Sequence, residues 1–331
     1  MMASDAKPVV SFLGPVASFS HQAVRQTFSE DGWVLRPVTT IDDVFDQVQQ
    51  RQALLGVVPF ENSTNGSVVF TLDNLADRNG RYKDISVNGE IYVEVEHCLL
   101  GHKTPAPAPA ASTGNSGADT PTPTDPVPQG PKTQPLSSLR HIKRLYSHPQ
   151  AFGQCHAFIS AHLKEAETFD TSSTSQAAEI VSRDQTGTWA AISNIMAASV
   201  QGLDVLHRAI QDRQDNTTRF LVIGSSPSLP KDDRLLAQPQ IAGSKSLISF
   251  TVPHSSPGAL AVVLGCFHDF NLNLTSINSR PSLLEPFQYI FFVEFEGHRL
   301  EDADGRVKGA LRKIDLVAES SRWLGSWRRC R

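Results

Sequence analysis

Two acids, two arginines and two adjacent threonines crowd into Asp212-Arg213-Gln214-Asp215-Asn216-Thr217-Thr218-Arg219, directly ahead of the apolar run Phe220 to Ile223 and Gly224. That run is short, contains β-branched residues and stops at a glycine, so it reads as a buried strand. The last polar side chains before it are then held at the rim of a sheet, where α/β proteins commonly place binding and catalytic groups. Taken alone, the segment reads more readily as a solvated loop with a capping Asn and an Arg paired to an acid. Three other polar turns follow strands. Gly14-Pro15 ends the short strand that opens at Pro8, and Ser18 or Ser20 then caps a helix, an arrangement that offers free backbone N–H groups to an anion. Glu61-Asn62-Ser63-Thr64-Asn65-Gly66-Ser67 follows the strand at Leu54 to Phe60. Ser147-His148-Pro149-Gln150 follows Ile142 to Tyr146, and Gln154 sits near the start of the next helix, on a face that looks back toward Ser147. Each of these side chains, alone, is more often a cap or turn residue than a ligand contact.

The elements that must position these turns alternate strand and helix from residue 8 to 224, the pattern of an α/β fold with ligands beyond the strand ends. A single helix is expected from Ala151 to Leu163, with Phe152, Cys155, Phe158 and Ile159 on its apolar face. From His102 to Ser138 the chain is Pro, Ala, Ser, Thr and Gly with almost no large apolar residue. Such a stretch cannot bury enough surface to offset its ordering entropy, and a disordered insertion is expected. Residues 225–243 read as a linker. Beyond it, 244–327 shows a βαββαβ order, a ferredoxin-like sandwich that hosts many unrelated functions.

The 331 residues allow two or more domains. An apolar fraction of 40% and a charged fraction of 19% are those of a soluble globular protein. A net charge of -4 gives no basic field for nucleic acid. No apolar run approaches the roughly 18 residues of a spanning helix, and the first residues lack the apolar core of a secretory signal. Cys98, Cys155, Cys266 and Cys330 lie far apart with no C-x-x-C pair, which argues against a metal site and a disulfide framework and for a reducing cytoplasm. His21, His97 and His148 are read as structural, and no motif calls for a cofactor.

Together the ordered motifs resemble prephenate dehydratase, over nearly the whole chain except the insertion and the extreme ends. Gly14-Pro15-Val16-Ala17-Ser18-Phe19-Ser20 looks like the family's G-P-x-G-T-F-S, with Ala17 and Ser18 in place of Gly and Thr. Pro59-Phe60-Glu61-Asn62-Ser63 resembles P-I-E-N-S, continued by Gly66 and Thr71-Leu72-Asp73. Tyr146-Ser147-His148-Pro149-Gln150 with Gln154-Cys155 matches Y-S-H-P-Q…Q-C, and Thr218-Arg219-Phe220 matches T-R-F. The C-terminal pattern is similar to an ACT domain, with Gly258-Ala259-Leu260 and Asn278-Ser279-Arg280-Pro281 at its two ligand motifs, Asn278 standing for the usual Glu.

The resemblance implies a two-lobed catalytic domain like the type-2 periplasmic binding proteins over 8–224, then an ACT regulatory domain over 244–327. It implies a lyase of phenylalanine biosynthesis that makes phenylpyruvate from prephenate without metal or cofactor, as a homodimer or homotetramer. Thr218 is the expected catalytic residue. Ser18, Glu61, Asn62, Ser63, Ser147, Gln154, Thr217 and Arg219 are expected at the substrate, the neutral donors among them orienting an anion without trapping it. Arg219 reads equally as a structural partner of Asp212 or Glu61. Gly258, Ala259, Leu260, Asn278, Ser279, Arg280 and Pro281 are expected to bind L-phenylalanine as feedback inhibitor; Asn278 can accept a hydrogen bond but carries no charge for an amino group. The alternatives are arogenate dehydratase and a non-catalytic amino-acid sensor; the retained Thr218-Arg219-Phe220 and Glu61-Asn62-Ser63 argue against the sensor.

Overall fold

Residues 7–103, 130–135, 138–225, 243–253 and 255–330 are described by a computed structural model of the chain. The expected 102–138 insertion lies mostly outside these residues, as does most of the 225–243 linker. The described chain divides into two compact units, one holding residues 23–93 and 218–330 with the first strand, the other 14–22 and 94–217.

Alternation of short apolar runs with capped amphipathic segments produces the elements in order. β1 (Val9–Leu13), α1 (Phe19–Thr27), β2 (Val34–Val38), α2 (Ile41–Gln49), β3 (Leu55–Asn62) and β4 (Gly66–Ser67) come first. α3 (Val69–Ala76), β5 (Ile85–Glu94), β6 (Cys98–Gly101), β7 (Arg144–Ser147), α4 (Pro149–Gln154) and α5 (His156–His162) follow. Next are β8 (Glu167–Asp170), α6 (Thr174–Ser182), β9 (Trp189–Ser193), α7 (Ile195–Gln201), β10 (Asp204–His207) and β11 (Thr217–Ser225). The C-terminal set is β12 (Ser244–Thr251), α8 (Ala259–Asp269), β13 (Leu274–Pro281), β14 (Tyr289–Glu296), α9 (Arg306–Val317) and β15 (Ser320–Arg328).

In the first unit one sheet runs β13-β14-β12-β15-β5-β11-β3-β1-β2, with β4 paired to β3. Its C-terminal portion is the ferredoxin-like module: β12, β13, β14 and β15 pair antiparallel, and α8 and α9 bury Val263, Phe267, Ala310 and Ile314 against them. The portion from β5 to β2 has a core of Val44, Phe45, Val58, Phe60 and Leu72. Thr40 opens α2 with a reciprocal capping box to Asp43, which satisfies two otherwise orphaned N–H groups. A parallel pairing of Gly325 with Val87 is the recorded backbone register between β15 and β5. Gly325 has φ +152°, and a Cβ there would sit 2.0 Å from the Val87 carbonyl oxygen, so only glycine allows the approach.

The second unit carries a mixed sheet ordered β10-β6-β9-β7-β8. One side packs α6 and α7 through Ala177, Val181 and Ala197, and another cluster gathers Leu145, Cys155, Phe158 and Ile192. The expected single helix from Ala151 to Leu163 is two helices broken at Cys155, whose backbone leaves helical geometry at φ -122°, ψ 21°. Asp212 supports the break: its N–H donates to the Gln154 carbonyl at 2.7 Å, and its carboxylate accepts from Ala157 N–H at 3.1 Å. The stretch from Val87 to Leu100 falls on two strands, β5 and β6.

Candidate active site

In the first unit the turn after β3 and the start of β11 are cross-strand neighbours, Thr218 opposite Asn62 and Arg219 opposite Glu61. Asn62 Nδ2 donates to Thr218 Oγ1 at 3.0 Å. The amide is oriented from its other end, because the Asn62 Oδ1 accepts from the N–H groups of Thr64 and Asn65, each at 3.0 Å. The turn therefore fixes which end of the amide faces the threonine. A hydroxyl that accepts on its oxygen keeps its proton to donate elsewhere, so the pair presents Thr218 as a hydrogen-bond donor. Thr71 Oγ1 donates to the Pro59 carbonyl at 2.6 Å, fastening α3 under this turn. Glu61 is half-buried in β3, and Ser63 lies exposed in the turn.

The second unit orients another neutral amide. His97 is buried, and its Nε2 lies 2.7 Å from Gln154 Oε1. Burial pushes the His97 pKa down, more than the hydrogen bond it donates to Gln154 raises it, so the ring is neutral with its proton on Nε2. With Oε1 occupied, the Gln154 amide N–H groups are the end left to donate. Phe19, next to Ser18, packs edge-on against the same ring at 5.7 Å, which brings the first turn beside Gln154. Ser18 Oγ accepts from His21 N–H at 3.2 Å, and His21 Nδ1 accepts from Ala17 N–H at 3.0 Å. Ala17 adopts φ +66°, a left-handed conformation that favours the glycine of the family pattern.

The sequence-derived candidates thus separate. Asn62 and Thr218 are bonded to each other, with Glu61 and Ser63 beside them on one turn. Gln154 bonds to His97, the ring on which Phe19, next to Ser18, packs, and Thr217 is half-buried at the head of β11. Ser147 is fully buried and donates its hydroxyl proton to the Ile192 carbonyl at 2.8 Å, so it stitches β7 to β9 and is not free to donate to a ligand. Arg219 pairs with neither Asp212 nor Glu61. Its guanidinium is buried against Glu294 at 2.5 Å and Glu90 at 2.7 Å. Glu90, Lys245 and Glu294 were missed from the sequence, although a charge inside runs such as Tyr289-Ile290-Phe291-Phe292-Val293-Glu294-Phe295 was a usable signal.

Among the ferredoxin-like module's expected ligand residues, Gly258 adopts φ +78° at the start of α8. With Ala259, Leu260, Phe287, Tyr289 and Phe291 it borders an open cavity of about 320 Å³. Asn278 and Arg280 alternate on the other face of β13. Asn278 Oδ1 accepts from Ser67 Oγ at 2.6 Å. Arg280 makes a forked pair with Asp73 of α3, both bonds at 2.9 Å, and Arg78 donates to the Pro281 carbonyl.

Thiol chemistry is disfavoured: burial, with Glu96 beside it, pushes the Cys98 pKa up to about 12, and burial pushes Cys155 well up. Among the described residues no cluster of His, Cys, Asp and Glu could hold a metal ion, and no helix is long and apolar enough to cross a membrane.

Fold and site define a mixed α/β protein that arrays oriented neutral donors on strand-end turns, with a ferredoxin-like module appended. The prephenate dehydratase family model matches residues 10–228, and the chain belongs to that family. It is 33% identical over 318 residues to a bifunctional chorismate mutase/prephenate dehydratase of Pseudomonas aeruginosa, covering 96% of this chain and 72% of the relative. A crystal structure of prephenate dehydratase in complex with L-Phe from Arthrobacter aurescens is similar at TM-score 0.76 and 27% identity, covering 97% of this chain and 90% of that one. A structure described as a novel type of quorum quenching acylase is similar at TM-score 0.71 and 26% identity, covering 97% of each chain.

Proposed function

We propose that this chain converts prephenate to phenylpyruvate by coupled decarboxylation and dehydration. The bond from the ring to its carboxylate breaks, the electron pair enters the ring, and the ring hydroxyl leaves as hydroxide, which takes a proton from solvent, giving carbon dioxide, water and an aromatic product. Aromatisation supplies much of the driving force, so the protein has to hold two carboxylates and stabilise the departing oxygen. Thr218 donates a hydrogen bond to that oxygen as charge grows on it, and the Asn62 amide polarises the hydroxyl from behind. A threonine is too weak an acid to protonate the leaving group alone, so its contribution is electrostatic. Within the first unit, Glu61, Asn62 and Ser63 supply the substrate contacts on the turn beside Thr218. The observation that carries this proposal is the Asn62–Thr218 pair at the family's two motif positions. Acyl transfer, as in the acylase-described neighbour, needs a nucleophile activated by a base. The group bonded to the Thr218 oxygen is an amide, which is not a base.

Feedback inhibition by L-phenylalanine is the second part of the proposal, supported by the cavity at Gly258, Ala259 and Leu260 and by the L-Phe complex of the Arthrobacter aurescens protein. Ser279 and Pro281 complete the site, while Asn278 and Arg280, on the other face of β13, hold Ser67 of β4 and Asp73 of α3. Exposed Val262, Ile277, Leu283, Leu284 and Phe287 give the module an apolar surface suited to a homodimer, and the enzyme works in the cytoplasm. Assays of prephenate beside arogenate, with and without L-phenylalanine, test both parts. Turnover of prephenate and its inhibition by L-phenylalanine are expected; turnover of arogenate alone refutes the substrate, and insensitivity to millimolar L-phenylalanine refutes the regulation.

A further inference from the structure

Four charged side chains are buried together in the first unit. Arg219 Nη2 lies 2.5 Å from Glu294 Oε2 and 2.7 Å from Glu90 Oε2, and Lys245 Nζ lies 3.3 Å from each of the two carboxylates. Two positive and two negative groups cancel, which is what permits charges at this depth. Burial works to raise the Glu294 carboxyl pKa, but Arg219 and Lys245 outweigh it and hold the group below its usual range. The Tyr92 hydroxyl accepts from Lys245 at 3.4 Å, and Thr275 Oγ1 donates to Glu294 Oε1 at 2.7 Å. The guanidinium also lies over the rings of Phe60, Tyr92 and Trp327, at 5.4, 5.8 and 6.0 Å.

In sheet order these side chains come from β13, β14, β12, β15, β5, β11 and β3, so seven neighbouring strands each contribute to one cluster. Among the described residues the backbone register joining β15 of the module to β5 is short, a single Gly325–Val87 pair. Side chains therefore supply the tie that the ladder supplies elsewhere. Arg219 is the residue after Thr218, and the β11–β3 register shifts directly after it, with Phe60 as the extra residue. A bulge re-aims the side chains next to it, and here its geometry is pinned by the guanidinium that stacks on Phe60.

We propose that Arg219 is a positioning residue: through Glu294 and Lys245 it carries the placement of the ferredoxin-like module to Thr218, so the aim of the Thr218 hydroxyl depends on side chains of β12 and β14. The proposal rests on the dehydratase reading of Thr218, and it removes Arg219 from the residues that touch substrate.

The test uses the full chain and two variants remote from the reacting atoms, Glu294→Gln and the milder Thr275→Val. The readouts are kcat and KM for prephenate and amide exchange over residues 217–225 without substrate. Glu294→Gln is expected to lower kcat about 10- to 100-fold with KM within about twofold, since small misplacements are paid in kcat when the lost interaction belongs to the transition state. Thr275→Val is expected to act in the same direction by a few-fold, and both variants to speed exchange in β11. A folded Glu294→Gln protein with wild-type kcat, or with a loss confined to KM, overturns the proposal. If Glu294→Gln does not fold, unchanged kcat and exchange in Thr275→Val overturn it instead. A wild-type chain that makes no phenylpyruvate defeats the dehydratase reading, and exchange in β11 then decides the coupling by itself.

Discussion

Replacing Asn62 with Asp changes one NH₂ for an oxygen at the position that holds Thr218. The carboxylate can still accept from Thr64 and Asn65 N–H, so the turn keeps both of its 3.0 Å bonds. The third bond reverses. A carboxylate has no proton to give, so the Thr218 hydroxyl must turn its own proton toward it and can no longer offer that proton to a leaving oxygen. The effect on catalysis is the loss of one transition-state donor, about 10²–10³ in kcat or roughly 2.7–4 kcal/mol. The folding effect is smaller, because one half-buried hydrogen bond is exchanged for another, a net of about 1 kcal/mol or less. Steady-state phenylpyruvate formation by wild type, Asn62→Asp, Thr218→Ala and the double variant measures this, with Tm recorded for each. Because both residues serve one donor, the double variant should be hardly worse than Thr218→Ala. An Asn62→Asp enzyme with wild-type kcat, or a double variant whose losses multiply, would falsify the pairing.

Gly325→Ala places a methyl group 2.0 Å from the Val87 carbonyl in a backbone region nearly closed to other residues; lost soluble expression or a Tm lower by several degrees is expected, and an unchanged melting curve contradicts it. For Asp73, burial works to raise the carboxyl pKa, but Arg280 and Arg78 outweigh it and hold the group below its ordinary 3.8. A depressed carboxylate contributes stability that is present above the unfolded-state pKa and lost as pH falls through the folded-state one. Asp73→Asn should therefore lower Tm at pH 7, with the gap to wild type closing as pH falls below about 4; equal Tm at neutral pH would show that the Arg280 fork contributes nothing.

The sequence made the alternation of elements and the ferredoxin-like module legible because both rest on local periodicity and turn chemistry. The module's order of strands follows from its βαββαβ pattern. The helix break at Cys155 was not legible: residues 151–163 have continuous helical spacing, and the break is held by Asp212, more than fifty positions away. The turns at Glu61 and Ser147 were visible as polar punctuation after apolar strands. What each side chain does there was not, since Asn62 and Ser147 look alike as neutral donors. Only the fold reveals that one points its amide at Thr218 while the other is spent on the Ile192 carbonyl. Arg219 illustrates the same limit. Its local neighbours offered Asp212 and Glu61 as partners, whereas its actual partners come from strands 75 residues downstream and from β5.

Phenylpyruvate formation from prephenate by the purified full chain, compared with Thr218→Ala at matched folding, tests the central claim most directly. The expected result is phenylpyruvate with one equivalent of carbon dioxide for the wild type and a kcat lower by about 10²–10³ for the variant. A folded wild-type chain that forms no phenylpyruvate, or a Thr218→Ala chain that turns over at the wild-type rate, would contradict it.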